Sequence, residues 1–171
     1  IDMSKKNFKF IHISDIHLGR EITKKYTFLD PNQETRVRRS PVKVLDNLAT
    51  LAEEEQVDFI LIAGDTFDDD MPSSDNYFKK FKNFLKKIDQ LDIDVYIVLG
   101  NHDVASDLLK SFESNKLPGN TYVFPAKKAD TFINDNFKVA IHGQSYPKKV
   151  VTEKLVDKFP KPVGDFYNIG L

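Results

Sequence analysis

The sequence predicts an α/β fold: a βαβαβ core that runs on into a two-sheet sandwich flanked by helices. Three observations carry this prediction. Three short apolar runs, at residues 8–14, 57–63 and 95–99, have the Phe, Ile and Val content of strands buried on both faces. Amphipathic helical patterns lie between them. Each run ends in a cluster of Asp, His or Asn, at the place where open parallel sheets bind their ligands.

The elements follow in chain order. Phe8 to Ser14 reads as the first strand. Ser40-Pro41 reads as an N-cap followed by Pro at the first helical position, with Val44, Leu45, Leu48, Leu51 and Ala52 at helical spacing behind it. Val57 to Ala63 is the second strand. A second helix is expected to start at Ser73 or Ser74, with an apolar stripe through Tyr77, Phe78, Phe81, Phe84, Leu85, Ile88 and Leu91. Lys79, Lys80, Lys82, Lys86 and Lys87 fall largely on its other side and read as a solvated face. Val95 to Leu99 is the third strand, which makes two right-handed crossovers. A third helix is expected over residues 106–113. Beyond it, Tyr122-Val123-Phe124, Thr131-Phe132-Ile133 and Phe137 to Ile141 read as a second sheet or an antiparallel extension. Thr152 to Phe159 reads as a short helix and Phe166 to Leu171 as the start of another strand. Residues 19–40, rich in Arg and Lys, form the longest expected loop.

Composition narrows the function. The chain has 171 residues, 40% apolar, which suits one domain with a substantial core. Its net charge of −1 gives no global field for nucleic acid, so such binding must come from local geometry. There is no cysteine, which excludes disulfides and thiolate metal sites. No apolar run approaches the roughly 20 residues that span a bilayer, and no leader pattern is present. The expectation is a cytoplasmic protein without membrane contact. Ile1 and Asp2 precede Met3 and read as a remnant, with the domain over residues 3–171.

The strand ends carry the chemistry. They read Ser14-Asp15-Ile16-His17, then Gly64-Asp65-Thr66-Phe67-Asp68, then Gly100-Asn101-His102-Asp103. Neighbouring parallel strands bring these ends to one crevice. Carboxylate, imidazole and amide oxygen together suit Mn, Mg, Fe or Zn. Two such ions about 3.5–4 Å apart are the usual device for cleaving phosphoesters. The glycines before Asp65 and Asn101 fit turns of close backbone approach.

In order and spacing, Asp15-x-His17, Gly64-Asp65-x-x-Asp68 and Gly100-Asn101-His102-Asp103 resemble the motifs of the calcineurin-like metallophosphoesterases. The stretch from His12 to Arg20 resembles the opening of the SbcD-type DNA repair exonucleases. His142 to Tyr146 and Phe166 to Leu171 resemble later segments of the YhaO-like branch. The resemblance covers nearly the whole chain after Met3, as the N-terminal part of a catalytic domain.

The resemblance implies roles. Asp15 and His17 would hold one metal, Asp65 would bridge, and Asn101 would bind the second. His102 would face the phosphate and assist the leaving oxygen. Asp68 and Asp103 would hold those side chains in orientation, and either also suits a helix or turn cap. Arg20 is read as a phosphate contact and Arg36, Arg38 and Arg39 as surface charge. His12 is expected as a packed, hydrogen-bonded support, Asp69 and Asp70 as a solvated loop, and His142 near the crevice but outside the ligand set. The family pattern also has three later imidazoles, and no histidine follows His142. The expectation is a catalytic domain truncated at its C-terminal end, with an incomplete second metal site, weak or absent activity and an open sheet edge that invites homodimers.

The leading function is therefore a divalent-metal-dependent DNA exonuclease using two cations, Mn first among them. The resemblance implies a coiled-coil ATPase partner of the SbcC type. The alternatives are a phosphodiesterase for a cyclic nucleotide and a non-catalytic scaffold that binds a partner.

Overall fold

The computed structural model describes residues 7–20, 29–68, 77–105, 112 and 116–171. Its first sheet contains β1 (Phe10–Ile13), β2 (Phe59–Ala63), β3 (Asp94–Val98) and β4 (Thr121–Val123), in that spatial order and all parallel. Helix α1 (Pro31–Glu54) falls between β1 and β2, and α2 (Tyr77–Gln90) between β2 and β3. A short helix, α3 (Asn101–Ala105), follows β3. The second sheet holds β5 (Asp130–Asn134), β6 (Val139–Gly143) and β7 (Tyr167–Gly170), with β5 antiparallel and β7 parallel to β6.

Side-chain alternation along β2 and β3 divides the interior into two cores. Ile60, Ile62, Val95 and Ile97 meet the helices, whose stripe includes Phe81, Leu85 and Ile88. Phe59, Leu61, Tyr96 and Val98 meet Val139 and Ile141 of the second sheet. Burial on both faces is why these strands read as continuous apolar runs.

Four expectations are corrected. Helix α1 begins at Pro31, ten residues before the expected Ser40-Pro41 start, because Asp30 and Gln33 form a capping box. Asp30 accepts from the N–H groups of Asn32 (2.7 Å) and Gln33 (2.9 Å), and Gln33 Oε1 accepts from Asp30 N at 3.0 Å. Residues 31–40 of the expected 19–40 loop are therefore helix, and Pro41 lies inside that helix. Tyr122-Val123 belongs to the first sheet, paired in parallel with β3, because Ile97 O accepts from Phe124 N in continuation of that ladder. His12 is exposed and not a packed support: β1 is an edge strand, and Phe10 and His12, on one of its faces, are both exposed. The expected helix over residues 152–159 is a single 3₁₀ turn, Leu155–Lys158. The expected helix start at Ser73 or Ser74, Asp69, Asp70 and the third helix over residues 106–113, apart from buried Phe112, lie outside the described residues.

Candidate metal centre

Beyond the ends of β1 and β2 the two segments keep running side by side. Asp15 N donates to Gly64 O (3.1 Å), His17 N to Asp65 O (3.0 Å) and Leu18 N to Thr66 O (2.8 Å), and Asp68 N returns to Leu18 O (3.1 Å). Leu18 and Phe67, both fully buried, anchor this pair of segments in the helix-side core. Within it Asp15 (φ 55°), His17 (φ 48°) and Asp65 (φ 50°) all occupy the left-handed region. That region is costly for non-glycine residues and persists where the surroundings over-determine it. Here the hydrogen bonds between the two segments do so.

The result is a convergence of ligand atoms. Asp15, His17 and Asp65 each offer one atom within 4.8 Å of the others, and so do His17, Asp68 and His102. His17 is shared by both groups. Its Nε2 lies 3.9 Å from Asp15 Oδ1 and its Nδ1 lies 3.2 Å from Asp68 Oδ2. The second contact is close enough for charge pairing but off the hydrogen-bond direction, so Nδ1 is a buried ring nitrogen without a hydrogen bond. The His102 ring meets that of His17 edge-on, with centroids 5.0 Å apart.

The turn after β3 closes the site. A Cβ at Gly64 (φ 86°) would lie 3.0 Å from the Gly100 backbone, and a Cβ at Gly100 would collide with the Asp65 carboxylate and lie 2.5 Å from Asp65 N. Asp65 Oδ1 accepts from His102 N at 3.1 Å. Asp103, fully buried, accepts from Phe67 N (2.8 Å), Gly100 N (2.8 Å) and Thr66 N (3.3 Å). It both caps α3 and ties the β2 loop to it. Burial pushes the Asp103 carboxyl up to about 6, the three backbone bonds oppose that rise, and the charge of Asp65 adds to it.

The remaining residues fall as follows. Asn101 is the half-buried first residue of α3, between Gly100 and His102. Arg20 is 70% exposed, with Nε 3.8 Å from Asp68 Oδ2. His142 takes no part: its ring is held between Thr131 Oγ1 (2.7 Å) and Asn168 Oδ1 (2.8 Å) inside the second sheet. Ser145 has a role that sequence reasoning missed. Its buried hydroxyl accepts from Leu99 N (2.9 Å) and donates to Phe124 O (2.6 Å), fixing the strand end that leads to Asn101. A small hydroxyl just beyond an apolar strand was the available signal.

The donor set fits a divalent cation. Carboxylates crowded around a buried imidazole nitrogen repel one another, and a cation among them reverses that cost. Oxygen and imidazole donors suit Mn, Mg, Fe and Zn alike.

This fold and this centre define a metal-dependent phosphoesterase. Residues 8–165 match the calcineurin-like phosphoesterase family, and the chain belongs to it. It is 28% identical over 169 residues, 95% of its length, to the metallophosphoesterase YhaO of Bacillus subtilis, covering 39% of that protein. It is 37% identical over 98 residues (57% of the chain, 20% of the relative) to the DNA double-strand break repair protein Mre11 of Archaeoglobus fulgidus. Against the SbcD component of the SbcCD nuclease of Escherichia coli it is 32% identical over 104 residues, 60% of the chain and 23% of the relative. The chain thus spans at most about two fifths of the length of these relatives. A dimetal phosphatase from Danio rerio shares the fold, with a TM-score of 0.53 at 16% identity over 81% of the chain and 44% of that structure.

Proposed function

We propose that the chain supplies the metal-binding, N-terminal part of a phosphodiester hydrolase that acts on DNA in repair, as an exonuclease of the SbcD/YhaO type. The observation that carries this reading is the convergence of Asp15, His17 and Asp65 on left-handed backbone at the carboxyl ends of β1 and β2. Asp15, His17 and Asp65 would hold a first divalent cation, and Asp65 and Asn101 a second. Asp68 lies beside His17 Nδ1, which would leave Nε2 for the metal. The chemistry supplied with metal bound is Lewis-acid polarisation of the phosphoester and a lowered water pKa. His102 holds a proton beside the leaving oxygen, a task that suits imidazole near neutral pH. Arg20 meets a substrate phosphate. Mn is the metal of this reading, DNA its substrate and a coiled-coil ATPase of the SbcC type its partner, all in the cytoplasm; pairing of two copies belongs to it as well. The homologies to Mre11 and to the SbcD component of the SbcCD nuclease support the choice of DNA.

Calorimetric titration with Mn²⁺ tests the centre. Asp15→Ala and Asp65→Asn are expected to weaken binding by more than about tenfold, with Asp135→Asn, a distant surface substitution, unchanged. Equal affinity in all three variants would remove the assignment. Turnover by the whole protein of single-stranded DNA against a cyclic nucleotide, with Mn²⁺, then decides the substrate.

A further inference from the structure

We propose that the loops after β4 and β6 form a lysine rim that holds the flanking phosphates of a nucleic acid strand whose scissile phosphate lies at the metal centre. This rests on the phosphodiester reading above and names how that site would take a polymer. The first loop carries Lys127-Lys128 and the second Lys148-Lys149, and all are exposed.

The topology sets where they lie. Strands β1 to β4 are parallel, so their carboxyl ends share one edge of the sheet. Along it come Asp15 and His17, then Asp65, then Asn101 and His102, then the loop with Lys127 and Lys128. Neighbouring strands lie about 4.8 Å apart, so their loops follow one another along this edge. The β6 loop is drawn to the same edge by three hydrogen bonds. Tyr146 N donates to Leu99 O (2.8 Å), Ser145 N to Pro125 O (3.2 Å), and Gln144 Nε2 to Ala126 O (3.0 Å). The two loops are thereby stapled to each other and to the residue two before Asn101.

The charge pattern favours a polyanion. In a chain of net charge −1, two Lys-Lys pairs fall in the two loops that these hydrogen bonds join. Lys127 and Lys128 form no ion pair with any described residue. Glu153, the acid that feels Lys148, is itself paired with Lys158. A mononucleotide would fill only the metal centre; a strand would also cross the rim. Lysine serves as a point-charge phosphate contact that reads no sequence, so the rim gives strand affinity without base preference.

The test is anisotropy of a labelled single-stranded oligonucleotide across a salt series, with Mn²⁺ present. Lys127→Gln/Lys128→Gln and Lys148→Gln/Lys149→Gln are each expected to lower affinity about three- to tenfold. The slope of log affinity against log salt should flatten by about 0.7 per lost contact. Lys43→Gln/Lys86→Gln, which removes the same charge from α1 and α2, should leave the slope unchanged. Mononucleotide and Mn²⁺ binding should be unaffected by either rim pair. Rim variants with wild-type oligonucleotide affinity, alongside normal Mn²⁺ uptake, would overturn the rim and leave the metal centre standing. Lysine-dependent strand binding with no Mn²⁺ uptake would support the rim and remove the metal assignment.

Discussion

Three backbone N–H groups, of Thr66, Phe67 and Gly100, end on the one carboxylate of Asp103. Removing it leaves buried donors without acceptors, each worth roughly 1–3 kcal/mol before water or relaxation intervenes. Asp103→Ala is therefore expected to cost about 3 kcal/mol in denaturant unfolding, and Asp103→Asn about half that. A loss within the scatter of ordinary surface substitutions, about 0.5 kcal/mol, would mean that the knot is slack. Gly100 makes a sharper case. A methyl group there meets the Asp65 carboxylate and backbone, whereas one at Gly119 meets nothing within 4 Å. Gly100→Ala should lose Mn²⁺ affinity by more than about tenfold, and Gly119→Ala should keep it. The identities of these residues were legible in the sequence, because Asp-x-His and Gly-Asn-His-Asp at strand ends can be read by spacing. Their geometry was not. Left-handed φ at Asp15, His17 and Asp65 depends on hydrogen bonds between segments about 50 residues apart in sequence, and no local pattern encodes that.

At the scale of elements, strands β2 and β3 were legible because burial on both faces leaves a continuous apolar run, and β1 by its alternation of Phe and Ile with polar residues. The start of α1 was not, since two Asp/Ser-Pro signals compete and only one is chosen. The structure uses Asp30-Pro31 with Gln33 and takes the other, Ser40-Pro41, into the middle of the helix, where the Ser40 hydroxyl donates back to Arg36 O at 3.1 Å. Both halves of that choice can be measured. Asp30→Ala should cost about 1 kcal/mol as a lost cap. Pro41→Ala should stabilise by about 1–3 kcal/mol, since proline in a helix interior lacks a donor and crowds the preceding turn. Thermal unfolding reads both signs, and a destabilised Pro41→Ala would show that the proline ring is needed for packing. At the start of β3, burial raises the carboxyl of Asp94, opposed by the Tyr96 hydroxyl and assisted by the charge of Asp92. Its folded pKa exceeds its unfolded value, so the ionised form costs stability above the folded pKa, and that cost fades as pH falls toward the unfolded one. Relative to Asp94→Asn, which can still accept from Asn134 Nδ2 (2.9 Å in the native chain), the native protein should gain stability as pH is lowered from neutrality. The opposite slope would mean that Asp94 is stabilised as an anion.

At the scale of the molecule, the membership of β4 in the first sheet was illegible for the same reason as the site geometry. A three-residue strand has no period of its own, and its partner is chosen by β3, more than 20 residues earlier. The same dependence on distant segments makes metal binding a property of the whole fold. Asp15 follows β1, Asp65 follows β2 and Asn101 precedes the rest of α3, so a cation held among them ties together segments that the unfolded chain keeps apart. A ligand that binds only the folded state stabilises it by about 2.7 kcal/mol at a concentration about 100 times its Kd. For a chain of this length that is a rise in Tm of about 5–10 °C. Mn²⁺ is expected to produce this rise in the native protein and to produce little of it in Asp65→Asn, where the shared carboxylate is gone. The control matters, because Mn²⁺ also meets surface carboxylates. An equal rise in Asp65→Asn would place the stabilising ion elsewhere, and a native protein whose Tm ignores Mn²⁺ would show that the centre is too weak, with the residues of this chain alone, to hold a cation against water.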